Sequence, residues 1–324
     1  MQLLRGLYNN PLPEEGCVAT IGNFDGVHLG HQEIVRRVVE RASDLNLPSV
    51  VIVFEPQPQE YFKGEQAPAR IMRFRDKYEC LQNYGLDYIC VLQFNEKFRA
   101  LTAKAFIDQV LVNHLKVKHL VVGDDFRFGG DRQGDFQALL NAGEEFGFTV
   151  ENSDTYKVEG TESQARVSST LVRVKLADGE FDTVEALLGR PYTLSGRVMY
   201  GQQLGRTIGF PTANIALRRK SNPLKGVFAL KVDVMSGDHA GSYYGVANLG
   251  KKPSVGEFDA NLEIHIFDFS GDIYGQRVQV EFLKKIRNEQ KFESLQALQE
   301  QIERDNVAAR EFVAQLNENE AKRL

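Results

Sequence analysis

Six histidines occur in this 324-residue chain. Two of them, His28 and His31, fall in the string Gly22-Asn23-Phe24-Asp25-Gly26-Val27-His28-Leu29-Gly30-His31. A spacing of three is about one helical turn, so both imidazoles can face one ligand. Before the string, residues 17–22 (CVATIG) read as a short buried strand. After it, Ile34, Val35, Val38 and Val39 recur at helical spacing. A junction of strand, glycine turn and helix offers free N–H groups and the positive end of a helix dipole, which favours phosphate. Imidazole N–H donors aimed at a nucleotide α-phosphate would stabilise charge that develops during attack. The same pair could be half of a zinc site, but no Cys or His cluster supplies the remaining ligands.

Three further segments carry polar groups suited to phosphate chemistry. In Val167-Ser168-Ser169-Thr170-Leu171-Val172-Arg173, Ser169 or Thr170 can cap a helix whose first turn holds Arg173. Hydroxyls, N–H groups and a guanidinium make a pyrophosphate clamp, although the same letters also suit an ordinary helix cap. Gly201, Gly205 and Gly209 precede Phe210-Pro211-Thr212-Ala213-Asn214 and let the backbone approach a phosphate. If this stretch is extended, Thr212 and Asn214 share a face, and two neutral oxygen ligands there suit Mg²⁺. Read alone, it is equally a glycine-rich hairpin with a turn proline. On a strand over 261–269, Glu263, His265 and Phe267 take one face and Leu262, Ile264 and Ile266 the other. Gly245 to Lys251 fits GxxxxGK but lacks the final Ser/Thr and sits in strand and loop, so a P-loop is rejected.

Together these motifs resemble the bacterial bifunctional riboflavin kinase/FMN adenylyltransferase (FAD synthetase) family. GNFDGVHLGH is similar to the HxGH signature of nucleotidyltransferases. Class I aminoacyl-tRNA synthetases carry a similar tetrad, but a KMSKS-like loop and a basic tRNA face are not evident. The segment 121–129 (VVGDDFRFG) is similar to the family's flavin-side loop, and 167–173 to its SSTxxR segment. GRTIGFPTAN (205–214) is similar to the riboflavin kinase signature. The resemblance covers nearly the whole chain, with the motifs in family order.

It implies ATP binding for adenylyl transfer by Gly22, Asn23, Phe24, Asp25, Gly30, Ser168, Ser169, Thr170 and Arg173, with His28 and His31 catalytic. It implies flavin binding there by Asp125, Phe126 and Phe128. In the kinase it implies ATP and flavin contacts from Gly201, Gly205, Arg206, Gly209 and Arg287, a metal at Thr212 and Asn214, and Glu263 as catalytic base. The expected activities are phosphorylation of riboflavin to FMN by ATP, then adenylylation of FMN to FAD with release of pyrophosphate. The ligands implied are riboflavin, FMN, FAD, ATP and Mg²⁺, with no nucleic acid or membrane, and with room for weak self-association. One departure is Lys252-Pro253-Ser254 where many members have Arg-Pro-Thr; lysine keeps the charge but loses the planar fork. The alternatives are an enzyme with only one of the two activities, and a flavin-binding module without turnover.

Positioning these groups takes two kinds of scaffold. Strands at 17–22, 49–54, 88–92 and 119–122 alternate with helices at 31–43, 73–84, 103–115 and 134–146. That pattern predicts a Rossmann-like α/β domain with a parallel sheet covered on both faces. Ligands then bind at the carboxyl ends of the strands, where both the HxGH string and the 121–129 loop lie. From about Leu187 the pattern changes to β-rich runs at 192–199, 226–234, 242–248, 261–269 and 277–283. These predict an antiparallel barrel or sandwich, of which the resemblance implies the barrel, followed by a C-terminal helix with an apolar stripe at Phe292, Leu295, Leu298, Ile302, Phe312 and Leu316. The expected domains are 1–186 for adenylyl transfer and 187–324 for the kinase. A net charge of −5 does not advertise nucleic-acid binding. Three unpaired cysteines, no signal-like start and no apolar run near ~18 residues predict a cytoplasmic protein.

Overall fold

The structure is a computed structural model, and it describes residues 1–7, 12–123, 125–153, 166–201, 209–217, 221–251 and 260–322. The chain divides into two compact units. One comprises Met1–Pro68 with Met72–Ser169, the other Ala69–Ile71 with Thr170–Leu324.

The first unit is a six-stranded, wholly parallel sheet. Its strands are β1 (Gln2–Arg5), β2 (Cys17–Ile21), β3 (Ser49–Glu55), β4 (Tyr88–Gln93), β5 (Val117–Val122) and β6 (Thr149–Asn152), in the order β1-β4-β3-β2-β5-β6. The chain winds outward from β2 through β3 and β4, then returns to β5 on the other side. The topological switch point, where open α/β sheets bind ligands, therefore lies between β2 and β5. Both faces are covered, which explains why every residue of β2 is buried. Val18, Val51, Val53 and Val121 pack with Val35, Val38 and Ala42 of α1 (Leu29–Leu45) on one face. Ala19, Ile52, Leu120 and Val122 pack with Phe106, Val110, Leu111 and Leu139 on the other.

The other α-helices among the described residues of this unit are α2 (Pro58–Lys63), α3 (Phe74–Leu81), α4 (Glu96–Arg99), α5 (Ala103–Phe106) and α6 (Phe136–Phe146). The single helix expected over 103–115 is α5 continued by a π-helical stretch, Ile107–His114. Burial pushes the Cys17 and Cys90 thiols up to about 12, so both stay protonated near neutral pH.

The second unit is a closed antiparallel barrel. Its strands are β7 (Thr193–Met199), β8 (Ala213–Ala216), β9 (Gly226–Val234), β10 (Gly241–Lys251), β11 (Ala260–Ile266) and β12 (Arg277–Arg287), in the cyclic order β10-β11-β8-β7-β12-β9. Closure removes the open edges. The helices α7 (Ser169–Asp178) and α8 (Phe181–Leu188) precede it, and α9 (Leu295–Ala321) follows it. Phe181 packs on Phe228 and Phe282, at 6.0 and 5.9 Å between ring centroids, which ties α8 to the barrel.

The expected stripe of α9 needs correction. Phe292 precedes the helix and Leu295 is exposed, whereas Asp305, Asn306, Ala309 and Val313 form its buried positions. Two buried polar residues hid this face from an apolar count. Leu298, Ile302, Phe312 and Leu316 flank it, half-buried.

Candidate active sites

In the first unit the loop between β2 and α1 holds the histidine pair. His28 caps α1, with its Nδ1 accepting from His31 N at 3.3 Å. The two imidazoles stack at 3.6 Å between centroids, and Phe24 leans on His31 at 4.9 Å. Phe24 and Val27 adopt φ of 47° and 43° around Gly26 at 87°. Positive φ is strained for any bulky or β-branched residue.

A cavity of about 1240 Å³ opens here, lined by Gly22, Asn23, Phe24, His28, Gly30 and His31 on one side. Asp125, Phe126 and Phe128 line it from the loop after β5, and Ser168 and Ser169 also contribute. The structure thus gathers most of the expected adenylyl-transfer residues around one space at the switch point. Asn23 Oδ1 is buried with no hydrogen-bond partner among the described residues, as suits a group reserved for a ligand.

Asp25 does not line the cavity. Its buried carboxylate accepts from Met72 N at 3.1 Å, and its carbonyl accepts from Ser169 Oγ at 2.9 Å. The Ser169 hydroxyl is therefore a loop tie. Thr170 and Arg173 follow on α7, where Arg173 Nε donates to Ala69 O at 2.6 Å.

The opposite wall was not legible in the sequence. Phe54, Phe62, Phe94, Phe98 and Phe106 come from five different elements or loops and form a continuous aromatic surface with Phe126 and Phe128. Phe94 lies 5.9 Å from Phe54 and 5.7 Å from Phe62, and Phe106 lies 5.3 Å from Phe128. Lys63, Arg99, Arg127, Arg132 and Arg166 add cationic groups to the lining, with Arg166 paired to Asp125 at 2.7 Å. The 125–134 loop is locked in place. Gly130 N donates to Leu101 O, Asp131 accepts from Ala103 N, and Gly134 sits against the Phe128 ring where a Cβ would be 2.6 Å away. An apolar aromatic cavity with basic groups and a phosphate-favouring loop suits a planar ring system bearing phosphate.

In the barrel, cross-strand register assembles the second site. Asn214 on β8 is the partner of Glu263 on β11, and Glu263 pairs in turn with Asn248 on β10. Asn248 pairs with Val227, and Val227 with Arg287. Asn214, Glu263 and Arg287 therefore lie on one rung around the barrel wall. Asn261, missed in the sequence, shares Glu263's face two residues earlier. Its Nδ2 donates to Asn214 Oδ1 at 3.2 Å and to Glu263 Oε1 at 3.0 Å, so one amide orients both oxygens.

A Cβ at Gly201 would stand 2.2 Å from the Asn214 amide nitrogen, so any other residue there would displace the Asn214 side chain. Thr212 lies two residues before Asn214, half-buried, and His265 Nδ1 hydrogen-bonds Pro211 O at 2.9 Å to fix that approach. Gly209 has φ of 86°. Gly205, Arg206 and Lys252-Pro253-Ser254 lie outside the described residues. Arg287 pairs side-on with buried Asp305 of α9, at 2.8 Å from Nε and 2.7 Å from Nη2, and rests over the Phe292 ring at 5.7 Å. Register shifts in β12, between Phe282 and Lys284 and between Lys285 and Arg287, re-aim the end of that strand.

Two family models match the two halves of the chain: FAD synthetase over residues 11–171 and riboflavin kinase over residues 188–313. A Haemophilus influenzae protein named bifunctional riboflavin kinase/FMN adenylyltransferase is 51% identical over 96% of this chain and 99% of its own length. An Escherichia coli protein of the same name is 49% identical over 96% and 98%. This chain belongs to the bifunctional riboflavin kinase/FMN adenylyltransferase family. A crystal structure from Streptococcus pneumoniae, titled a macrolide-efflux protein, matches with a TM-score of 0.76 and 29% identity over 95% of this chain and 98% of that one. Its title does not agree with the two family matches. No helix among the described residues is long and apolar enough to cross a membrane.

Proposed function

We propose that each unit carries one reaction of FAD formation: adenylyl transfer to FMN in the first, which lies within the expected domain at 1–186, and phosphorylation of riboflavin in the second, which contains the expected domain at 187–324 and begins earlier, at Thr170. The observation that carries the kinase assignment is the Asn214–Asn261–Glu263 cluster, in which one side-chain amide holds both oxygens. Glu263 takes the proton from the terminal ribityl hydroxyl as that oxygen bonds to the γ-phosphorus and ADP leaves. Asn214 Oδ1 and the Thr212 hydroxyl, with the carboxylate alongside, form an all-oxygen donor set of the kind that suits Mg²⁺. Bound there, Mg²⁺ would neutralise charge on the nucleotide phosphates. Arg287, held by Asp305, contacts the flavin substrate.

The adenylyl site needs no base. An FMN phosphate oxygen attacks the ATP α-phosphorus and pyrophosphate leaves, and that phosphate, with a second pKa near ~6, is already anionic. His28, His31 and the N-terminus of α1 steady the charge on the α-phosphate, with Gly22, Asn23, Phe24 and Gly30 cradling the nucleotide. Ser168 and Ser169 close that side. Asp125, Phe126 and Phe128, with the aromatic wall, take the isoalloxazine ring. The free thiols of Cys17, Cys80 and Cys90 support a place in the cytoplasm.

The assignment is tested with Asn214→Ala. Phosphorylation of riboflavin should require far more Mg²⁺ and fall at least about tenfold at fixed Mg-ATP, while adenylylation of supplied FMN keeps its wild-type rate and Mg²⁺ dependence. An unchanged Mg²⁺ requirement for phosphorylation would remove Asn214 from the metal site.

A further inference from the structure

Lys77 is a wholly buried lysine on α3, outside every motif in the sequence. Lysine is almost never fully buried unless its ammonium is paired, because desolvating the charge is costly. Its Nζ donates to the backbone carbonyl of Asn23 at 2.5 Å. That carbonyl opens the loop that carries the positive φ angles of Phe24, Gly26 and Val27 and ends at His28. Strained backbone of this kind persists only where its surroundings over-determine it.

Further restraints among the described residues act later in the loop, including Val27 N donating to Phe24 O at 3.3 Å. Met72 N and Ser169 Oγ hold Asp25, and Gln32 Nε2 donates to Val27 O at 2.9 Å. Lys77 fixes the peptide between Asn23 and Phe24. Because that peptide is planar and trans, drawing its carbonyl to the lysine turns the Phe24 N–H to the opposite side. Asn23, Phe24, His28 and His31 all line the cavity.

We propose that Lys77 is a positioning residue for adenylyl transfer: its buried ammonium holds the Asn23 carbonyl and so keeps the 22–28 loop in the strained form that presents the cradle and both histidines to the nucleotide. The inference rests on the reading of this loop as the adenylyl site. Without the ammonium, the Asn23–Phe24 peptide is free to rotate and the loop relaxes away from the reactive geometry. A shift of about 1 Å in such a site costs on the order of 10² in rate.

The test uses full-length Lys77→Met, a neutral near-isostere, and Lys77→Arg, a bulkier residue that keeps the charge and the donor. Each is assayed for FMN adenylylation below its melting temperature, as set by circular dichroism, with riboflavin phosphorylation on the same preparation. Lys77→Met should lose about 10²-fold in kcat with KM for FMN within about threefold, and phosphorylation should stay at wild-type level. Lys77→Arg should recover at least about tenfold of that loss even where it melts lower than Lys77→Met. Adenylylation that follows melting temperature across the two variants would overturn the proposal, as would Lys77→Met with near-normal kcat. His31→Ala separates the two levels. If it too keeps full adenylylation, the site reading itself fails; if it alone loses activity, only the role of Lys77 fails.

Discussion

The two units handle the same co-substrate with opposite materials. The parallel-sheet unit presents backbone and imidazole groups at a loop-to-helix junction, and strain at Phe24 and Val27 is part of the arrangement. The barrel unit presents side-chain oxygens fixed by strand register, with Asn214 and Glu263 opposed and Asn261 bridging them. On the proposed assignment, the difference follows the nucleophiles. A phosphate monoester arrives already charged and needs its partner oriented and neutralised, which N–H groups and dipoles do well. A hydroxyl must lose a proton, which calls for a carboxylate held by its neighbours.

The sharpest break between the two should come from Glu263→Gln. It keeps shape and hydrogen bonding but removes the proton acceptor, so phosphorylation of riboflavin should fall by roughly 10²–10⁴. Adenylylation of supplied FMN, measured on the same preparation, should not change. A mutant that makes FMN at near-normal rate would make Glu263 an ordinary solvated strand residue. The mirror experiment is His31→Ala, which should lower adenylylation by ~10²–10³ through loss of one preorganised donor while leaving phosphorylation intact. Equal loss of both activities in a folded protein would argue against two separate sites.

The scaffolds should also separate in stability. Val184 is fully buried on α8, so Val184→Ala should destabilise the barrel unit by roughly 2 kcal/mol. Calorimetry should show that loss in one transition and leave the other in place. By the same packing, a fragment over 170–324 keeps α8 and should fold alone and make FMN but no FAD. A fragment beginning at 189 loses Phe181, Val184, Leu187 and Leu188 and should fold poorly.

The smallest effect concerns pH and the first unit alone. Burial holds His119 below the usual histidine range, against the pull of Glu151 at 3.2 Å. The folded state then binds fewer protons than the unfolded state just below the ordinary value of 6.5. This contribution to stability is full above that value and is lost as pH falls toward the lowered folded pKa. His119→Gln should therefore narrow the difference in melting temperature between about pH 7.5 and about pH 5.5. An unchanged difference would place the pH dependence elsewhere.

What the sequence disclosed divides along local and non-local lines. His28, His31 and the turn before them are contiguous, so spacing alone puts them at a helix start, and the alternation of strand and helix foretells the sheet. The barrel strands announce themselves through β-branched runs. The aromatic wall does not, because Phe54, Phe62, Phe94, Phe98 and Phe106 meet only once the chain has wound around β2. Asn261 becomes visible only when β8 and β11 are in register. The Arg287–Asp305 pair needs a helix whose buried face is polar, against the usual pattern. Lys77 did leave a mark, a charge at helical spacing before the buried Leu81, but one charge on an apolar face reads as a solvated position until its burial is known.

Mixing two crippled full-length proteins tests the separation of the two sites most directly. Glu263→Gln and His31→Ala are incubated with riboflavin and Mg-ATP, each alone and then together, and FMN and FAD are resolved by chromatography over time. Alone, the first should form little FMN and little FAD, and the second should accumulate FMN with little FAD. Together they should convert riboflavin to FAD after a lag in which FMN rises and falls, because FMN released by one protein is adenylylated by the other. FAD formed at near wild-type rate by either variant alone would contradict the assignment of each reaction to its own unit, and so would no FAD from the mixture of two folded proteins.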